Sequence, residues 1–373
     1  MKNRNFVVKC NDGEARAGLI NTFHGSIKTP VFMPVGTLGS VKAIFPENLS
    51  QLDIEIILAN TYHLMLRPGE DIIERMGGLQ KFISWNKPIL TDSGGFQIWS
   101  LSKLSNINED GIEFSSHIDG KKFFMTPERS IKIQEKLNSD ISMVLDECTE
   151  FPATLKRASD SMNMSIRWAK RCKNTFKQRN GFNLFGIVQG GMFHELRKKC
   201  AQELVDVGFD GYAIGGLSVG ESHDQMTDIV ESTTSYLPKN RPRYLMGVGR
   251  PIDIFEAVER GIDMFDCVLP TRFGRNGRAF TLDGEINLRN SKYSEDKSPL
   301  DINMSCLASK NFSKAYIHHL TKNNEILASM ILSLHNIAFY KKMMTDIRIS
   351  IEEKKFSELK KKYLDTHGKF KKY

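Results

Sequence analysis

The stretch PILTDSGGFQ at 88–97 carries the reading of the fold. It begins as a short run without polar residues and breaks off into Asp92, Ser93, Gly94 and Gly95. A strand buried on both faces has this continuous apolar character, because neither side meets water. Seven further runs repeat it, at 31–35, 56–59, 141–145, 185–188, 212–214, 244–248 and 264–268. Helical patterns at 155–178, 192–207, 223–236 and 250–260 lie between them. Another opens at Thr126-Pro127, with threonine as N-cap and proline at the first helical position. Eight buried strands alternating with helices, over roughly the ~250 residues such a fold needs, predict an α/β fold of the (β/α)8 TIM-barrel type.

The ends of the runs are chemically loaded. They read Asn60-Thr61-Tyr62-His63, Asp92-Ser93-Gly94-Gly95, Asp146-Glu147-Cys148, Gln189-Gly190-Gly191, Gly215-Gly216-Leu217, Gly247-Val248-Gly249 and Asp266-Cys267. Barrel enzymes build their sites at the C-terminal ends of the strands, so this layout predicts an enzyme. Asp92 and Asp266 are the candidate catalytic pair. Two carboxylates facing one pocket can serve as nucleophile and general acid/base at a sugar carbon. Each could instead cap a helix or pair with an arginine. Asp146, Gln189 and Gly216 offer a carboxylate, an amide and open backbone that together can read the edge of a guanine. Phe96 offers a flat face for stacking a base. The segment Gly247-Val248-Gly249-Arg250-Pro251-Ile252-Asp253 is a glycine turn opening a helix, a form that can hold a phosphate. The segment Thr271-Arg272-Phe273-Gly274-Arg275, extended to Arg278, reads as a flexible, arginine-rich loop suited to an RNA backbone.

Charge and composition bound the partners. The chain has 373 residues, 40% hydrophobic and 26% charged, which suffices for one large core or two medium ones. Its net charge is +8, with eleven Lys/Arg and five Asp/Glu in 341–373. This basic tail suggests contact with nucleic acid phosphates, against a bland reading as compositional drift. The six cysteines are scattered without C-x-x-C spacing, which argues against a disulfide framework and for a reducing compartment. No apolar run reaches the ~18 residues of a membrane span, and the first residues lack a signal-peptide pattern. The expectation is a cytoplasmic protein with no membrane partner. Residues 1–283 are read as the catalytic barrel. Residues 284–373 are read as an appended C-terminal subdomain that holds the barrel-closing helix and a basic terminal helix.

Eight segments, taken in order, resemble tRNA-guanine transglycosylases of the bacterial type: TPVFMPVGT (29–37), ANTYHLMLRPG (59–69), LTDSGGFQ (90–97), DECTEFPA (146–153), VQGG (188–191), GGLSVGE (215–221), YLMGVGRP (244–251) and MFDCVLPTR (264–272). The resemblance covers residues ~5–345. It implies exchange of the wobble guanine in tRNAs with GUN anticodons, those for asparagine, aspartate, histidine and tyrosine, at a U-G-U element. The incoming base would be preQ1, 7-aminomethyl-7-deazaguanine, on the way to queuosine. By resemblance Asp266 is the nucleophile and forms a covalent enzyme–ribose intermediate, and Asp92 is the general acid/base. Ser93, Gly94, Gly95, Asp146, Gln189 and Gly216 bind the base, which Phe96 and Met246 sandwich. Residues 247–253 and 271–275 contact RNA. Val219 and Cys148 imply a pocket fitted to the small preQ1 rather than to queuine. A homodimer is implied as well.

The family's structural zinc site has the form C-x-C-x-x-C with a later histidine. The matching positions here are Met304, Cys306, Ser309 and His335, so only Cys306 and His335 remain as good ligands. The expectation is that no cofactor serves the chemistry and that zinc is lost or weakly held. His318 and His319 belong to a helix in the family pattern and are not ligands. Two rivals stand beside the enzyme reading. One is a catalytically decayed tRNA-binding protein of the same family, which would tend to lose the two aspartates. The other is a barrel glycoside hydrolase, which needs no basic tail.

Overall fold

The computed structural model describes residues 5–101 and 105–367. Eight parallel strands close into a barrel: Val31–Gly36, Ile57–Ala59, Ile89–Thr91, Ile141–Met143, Asn183–Val188, Gly211–Ile214, Arg243–Leu245 and Met264–Cys267. Closure is the parallel pairing of Met264 with Val31 through Cys267 with Pro34. Each of the eight apolar runs therefore supplies one strand. A closed barrel has no edge strands, and its helical jacket covers the outer face, which explains why the runs do not alternate. The jacket includes Pro127–Lys136, Leu155–Thr175, His194–Val207, His223–Ser235 and Pro251–Glu259. Thr126 caps the first of these, its side chain accepting from the Arg129 N–H.

Three small antiparallel additions have no counterpart in the sequence reading. A three-stranded sheet precedes the barrel (Phe6–Asp12, Ala15–Thr22, Gly25–Thr29), and another lies between the third and fourth barrel strands (Ser105–Asn108, Gly111–Ser115, Lys122–Met125). A hairpin, Arg278–Thr281 with Gly284–Asn287, follows the last barrel strand, and the boundary drawn at 283/284 falls in its turn. The first sheet is tied to the lower rim by Arg16, whose guanidinium donates to Asp263 and to the carbonyls of Lys239 and Arg241. A buried charge needs this completeness of partners, because desolvation costs several kcal/mol.

The region after 310 forms Lys314–Lys322, the long helix Ile326–Glu352 and the terminal helix Phe356–His367. The long helix closes the barrel. The Tyr340 ring packs at a tilt, 4.5 Å from that of Phe32 in the first strand, and Arg348 donates to the Pro30 carbonyl at 2.8 Å. Much of the basic tail is committed inside the fold. Lys341 pairs with Asp53 and Glu55, Lys342 with Asp346, and Lys360 with Glu256 and Glu259. Its last three lysines lie outside the described residues.

Candidate active site

Strand register brings the loaded ends together. Ala59 is paired with Thr91, so the next residues, Asn60 and Asp92, are neighbours. Val188 is paired with Ile214, which sets Gln189 beside Gly215. Leu245 is paired with Phe265, which sets Met246 beside Asp266.

Asp92 is buried. Its carboxylate accepts from the Asn60 amide at 2.5 Å and from the Thr61 N–H at 2.8 Å. Burial pushes its pKa up to about 6 against these two donors, and the nearby charge of Asp266 adds to the rise. A carboxyl poised there can give or take a proton near neutral pH.

Asp266 is the penultimate residue of the eighth strand. Its Oδ1 accepts from the Tyr244 hydroxyl at 2.6 Å and from the Gly247 N–H at 2.7 Å. Burial raises its pKa, and the two donors oppose the rise. Among the described residues nothing donates to Oδ2, so that oxygen keeps its lone pairs for an electrophile. Gly247 has φ of +73° and stands exposed, a conformation that costs glycine little.

Asp146, Ser93 and Gln189 form one chain of contacts. The Gln189 amide donates to Asp146 at 2.7 Å, and the Ser93 hydroxyl lies at 3.4 Å. Burial pushes Asp146 up to about 6. Gln189 Oε1 is buried with no donor among the described residues. It lies 2.6 Å from where a Cβ on Gly216 would stand, and Gly216 has φ of +65°, a conformation that favours glycine. A Cβ on Gly95 would likewise come within 2.7 Å of the Asp146 carbonyl. Phe96 is 47% exposed, at the start of the Gly95–Leu101 helix with its ring 5.7 Å from Trp99. Gly94 is buried beside Tyr62, and Met246 is half-buried.

The two arginine-bearing segments divide. Pro251, Ile252 and Asp253 open the Pro251–Glu259 helix, as the glycine turn before them predicts. Val248, Gly249 and Pro251 are buried, while Arg250 is half-buried. Asp253 is 2.8 Å from His223. The expected flexible loop at 271–275 is instead the helix Leu269–Arg275. Gly274 is there because the long closing helix crosses it, with Ser333 N only 2.6 Å from a would-be Cβ. Thr271 is buried, and Phe273 stacks on Phe280 at 5.2 Å, so that ring is spent on packing. Arg272 and Arg275 face solvent. Arg278 pairs with Glu285 in the hairpin.

The sequence reading gave no role to Asn60, Thr61, Tyr244 or Arg197. Asn60 and Thr61 stand at a loaded strand end and Tyr244 within an apolar run, but their contacts with the aspartates, 22 to 32 positions away, exist only in the fold. Arg197 carried a signal: with Cys200, Ala201 and Leu204 it completes an i, i+3, i+4, i+7 stripe, so it had to face inward.

The metal positions do not suit zinc. His335 Nε2 lies 2.7 Å from the Phe280 carbonyl, which can only accept, so Nε2 carries the proton. Nδ1 then receives the Ser309 hydroxyl at 2.7 Å. Both ring nitrogens are engaged, and burial holds the imidazole neutral, with a pKa down to about 4. Met304 and Cys306 are buried in the apolar cluster beside them. Among the described residues no group of three or more His, Cys, Asp or Glu is placed to hold a metal.

The family model for queuine tRNA-ribosyltransferase matches residues 10–369. The chain belongs to the queuine tRNA-ribosyltransferase family. Curated relatives named queuine tRNA-ribosyltransferase include that of Rickettsia rickettsii, 54% identical over 91% of this chain and 94% of its own. That of Rickettsia bellii is 53% identical over 90% and 93%. That of Caulobacter vibrioides is 52% identical over 97% and 98%. As a family member the chain is a pentosyltransferase of the tRNA-guanine transglycosylase type. No described helix is long and apolar enough to cross a membrane.

Proposed function

We propose that this enzyme exchanges the wobble guanine of tRNAs with GUN anticodons for preQ1 by double displacement through Asp266. The observation that carries the reading is the contrast between the two carboxylates. Asp266 is held by two donors on one oxygen and leaves the other open, while Asp92 is buried and pushed up to about 6. Asp266 Oδ2 forms a bond to C1′ as the C1′–N9 bond breaks, and the electron pair goes to the departing guanine. Asp92 supplies the proton to that base, then removes one from the incoming preQ1, whose nitrogen displaces Asp266. Proton transfer of this kind is worth about 10²–10⁴ in rate.

Recognition of the base falls to Asp146, which accepts from N1–H and the 2-amino group. Gln189 and the Gly216 backbone face O6. Phe96 and Met246 cover the ring faces, with Ser93, Gly94 and Gly95 shaping the floor. The half-buried Val219 and the buried Cys148 keep the pocket small. Arg250, Arg272 and Arg275 take phosphates beside the extruded base, and the target must leave its stack at a cost of a few kcal/mol. The subdomain is held by packing and the Ser309–His335–Phe280 chain instead of zinc. The enzyme acts as a cytoplasmic homodimer. Retention of both aspartates, Asp92 held by two donors and Asp266 by two donors on one oxygen, favours this reading over a decayed tRNA-binding protein.

The test is incorporation of labelled guanine into a tRNA with a wobble guanine, by the wild type and by Asp266→Asn, with chelator present. Exchange by the wild type alone is expected. Equal exchange by both would remove Asp266 as nucleophile, and none by a folded wild type would remove the reaction.

A further inference from the structure

Arg197 is wholly buried on the inner stripe of the His194–Val207 helix. Its Nε donates to the Gly191 carbonyl at 2.9 Å, and Nη1 donates to the carbonyls of Val188 and Gly215 at 2.8 and 2.7 Å. No carboxylate pairs with it among the described residues, and Nη2 has no acceptor there. Burial lowers its pKa to about 10, which leaves it charged at neutral pH. A buried, unneutralised cation is expensive, and well-packed apolar replacements for buried charges are often as stable or more so. Packing alone therefore gives no reason to keep an arginine here.

The three carbonyls give one. Val188 and Gly191 flank Gln189, and Gly215 precedes Gly216. The guanidinium thus ties the end of the fifth strand to the end of the sixth, at the two residues assigned to the O6 edge of the base. Nη2 lies 3.6 Å from the would-be Cβ of Gly216, and Gln189 Oε1 lies 2.6 Å from the same point. The guanidinium therefore lies against the Gly216 backbone, on the side of the pocket assigned to O6.

We propose that Arg197 is a positioning residue for base exchange that also stabilises the departing guanine electrostatically. This rests on the base-binding assignment above. When the C1′–N9 bond breaks, its electron pair enters the purine and is shared with O6. A fixed, buried positive charge on the O6 side lowers the energy of that anion without reorganising. The planar fork, with donors on two nitrogens, fixes the spacing of the two turns in a way that an ammonium cannot.

The two roles separate kinetically. Arg197→Gln removes the charge, and kcat per folded enzyme is expected to fall about 10²-fold, in the range of a lost transition-state donor. Arg197→Lys keeps a charge and loses the fork. It should hold kcat within about tenfold while the KM for guanine rises, since the loss then falls on ground-state binding. A tRNA carrying 8-azaguanine at the wobble position, a better leaving group, should shrink the Arg197→Gln deficit. Wild-type exchange measured alongside separates failure of the underlying reading from failure of this inference. Wild-type kcat in Arg197→Gln, or equal losses in both variants with no dependence on the leaving group, would overturn it. If Arg197→Gln does not fold, an unchanged KM in Arg197→Lys overturns it in the same way.

Discussion

Asp92→Asn should make the protein more stable while it removes activity, and the gain should depend on pH. The substitution keeps the shape of the side chain and removes a buried charge. Asp92 titrates at about 6 in the fold, against an ordinary value of 3.8. A shift of two units corresponds to about 3 kcal/mol. The sign follows from proton occupancy. Well below pH 3.8 both the folded and unfolded states hold the proton, so the carboxyl costs nothing. Between 3.8 and 6 the unfolded state ionises first and the fold loses stability. Above 6 the whole penalty is present. The variant should therefore match the wild type at about pH 3.5 and exceed it by about 3 kcal/mol at about pH 8. At ~2.1 cal/mol/K per residue this is a rise of ~4 °C in Tm. Urea unfolding and thermal melts of both proteins across that range measure it. A stability difference that does not change with pH, or a variant weaker than the wild type at pH 8, would refute the reasoning. Exchange activity should fall by about 10²–10⁴.

Other consequences are as direct. Tyr244→Phe removes a donor from Asp266 Oδ1, so the Asp266 pKa should rise. The acidic limb of the pH–rate profile should then move to higher pH and kcat should fall about tenfold or more, as a lost bond to a charged group implies. Chelator should leave the wild-type Tm unchanged, whereas Met304→Cys with Ser309→Cys should restore zinc binding and make Tm respond to chelator. One firmly held zinc per wild-type chain in native mass spectrometry would contradict the account of His335. Val219→Gly should let the enzyme accept queuine, read as a fall in its KM relative to preQ1; no change would show that Val219 does not bound the pocket.

The barrel was legible because its strands are buried on both faces and short, so each shows as a short, mainly apolar run whatever its partners are. Asp92, Asp146, Gln189 and Asp266 were legible because each lies within two residues of the C-terminal end of such a run, and strand ends are where barrels place chemistry. The antiparallel additions were not. Val7 and Val8 are both exposed in the first of them, so the strand shows neither alternation nor a continuous apolar face. The helix at 269–275 was hidden by Gly274, which looks like a loop residue until the Ile326–Glu352 helix is seen to cross it.

The set of runs, the residues at their ends and the family they spell follow from the chain alone, since these depend on local composition and order. Tertiary structure alone decided which oxygen of Asp266 is free, how far Asp92 is shifted, why Arg197 is buried and what His335 binds. Each of these depends on hydrogen-bond partners and desolvation supplied by segments distant in the chain. Arg197 reaches Gly215 across 18 positions and His335 reaches Phe280 across 55, and no pattern along the chain encodes such a contact.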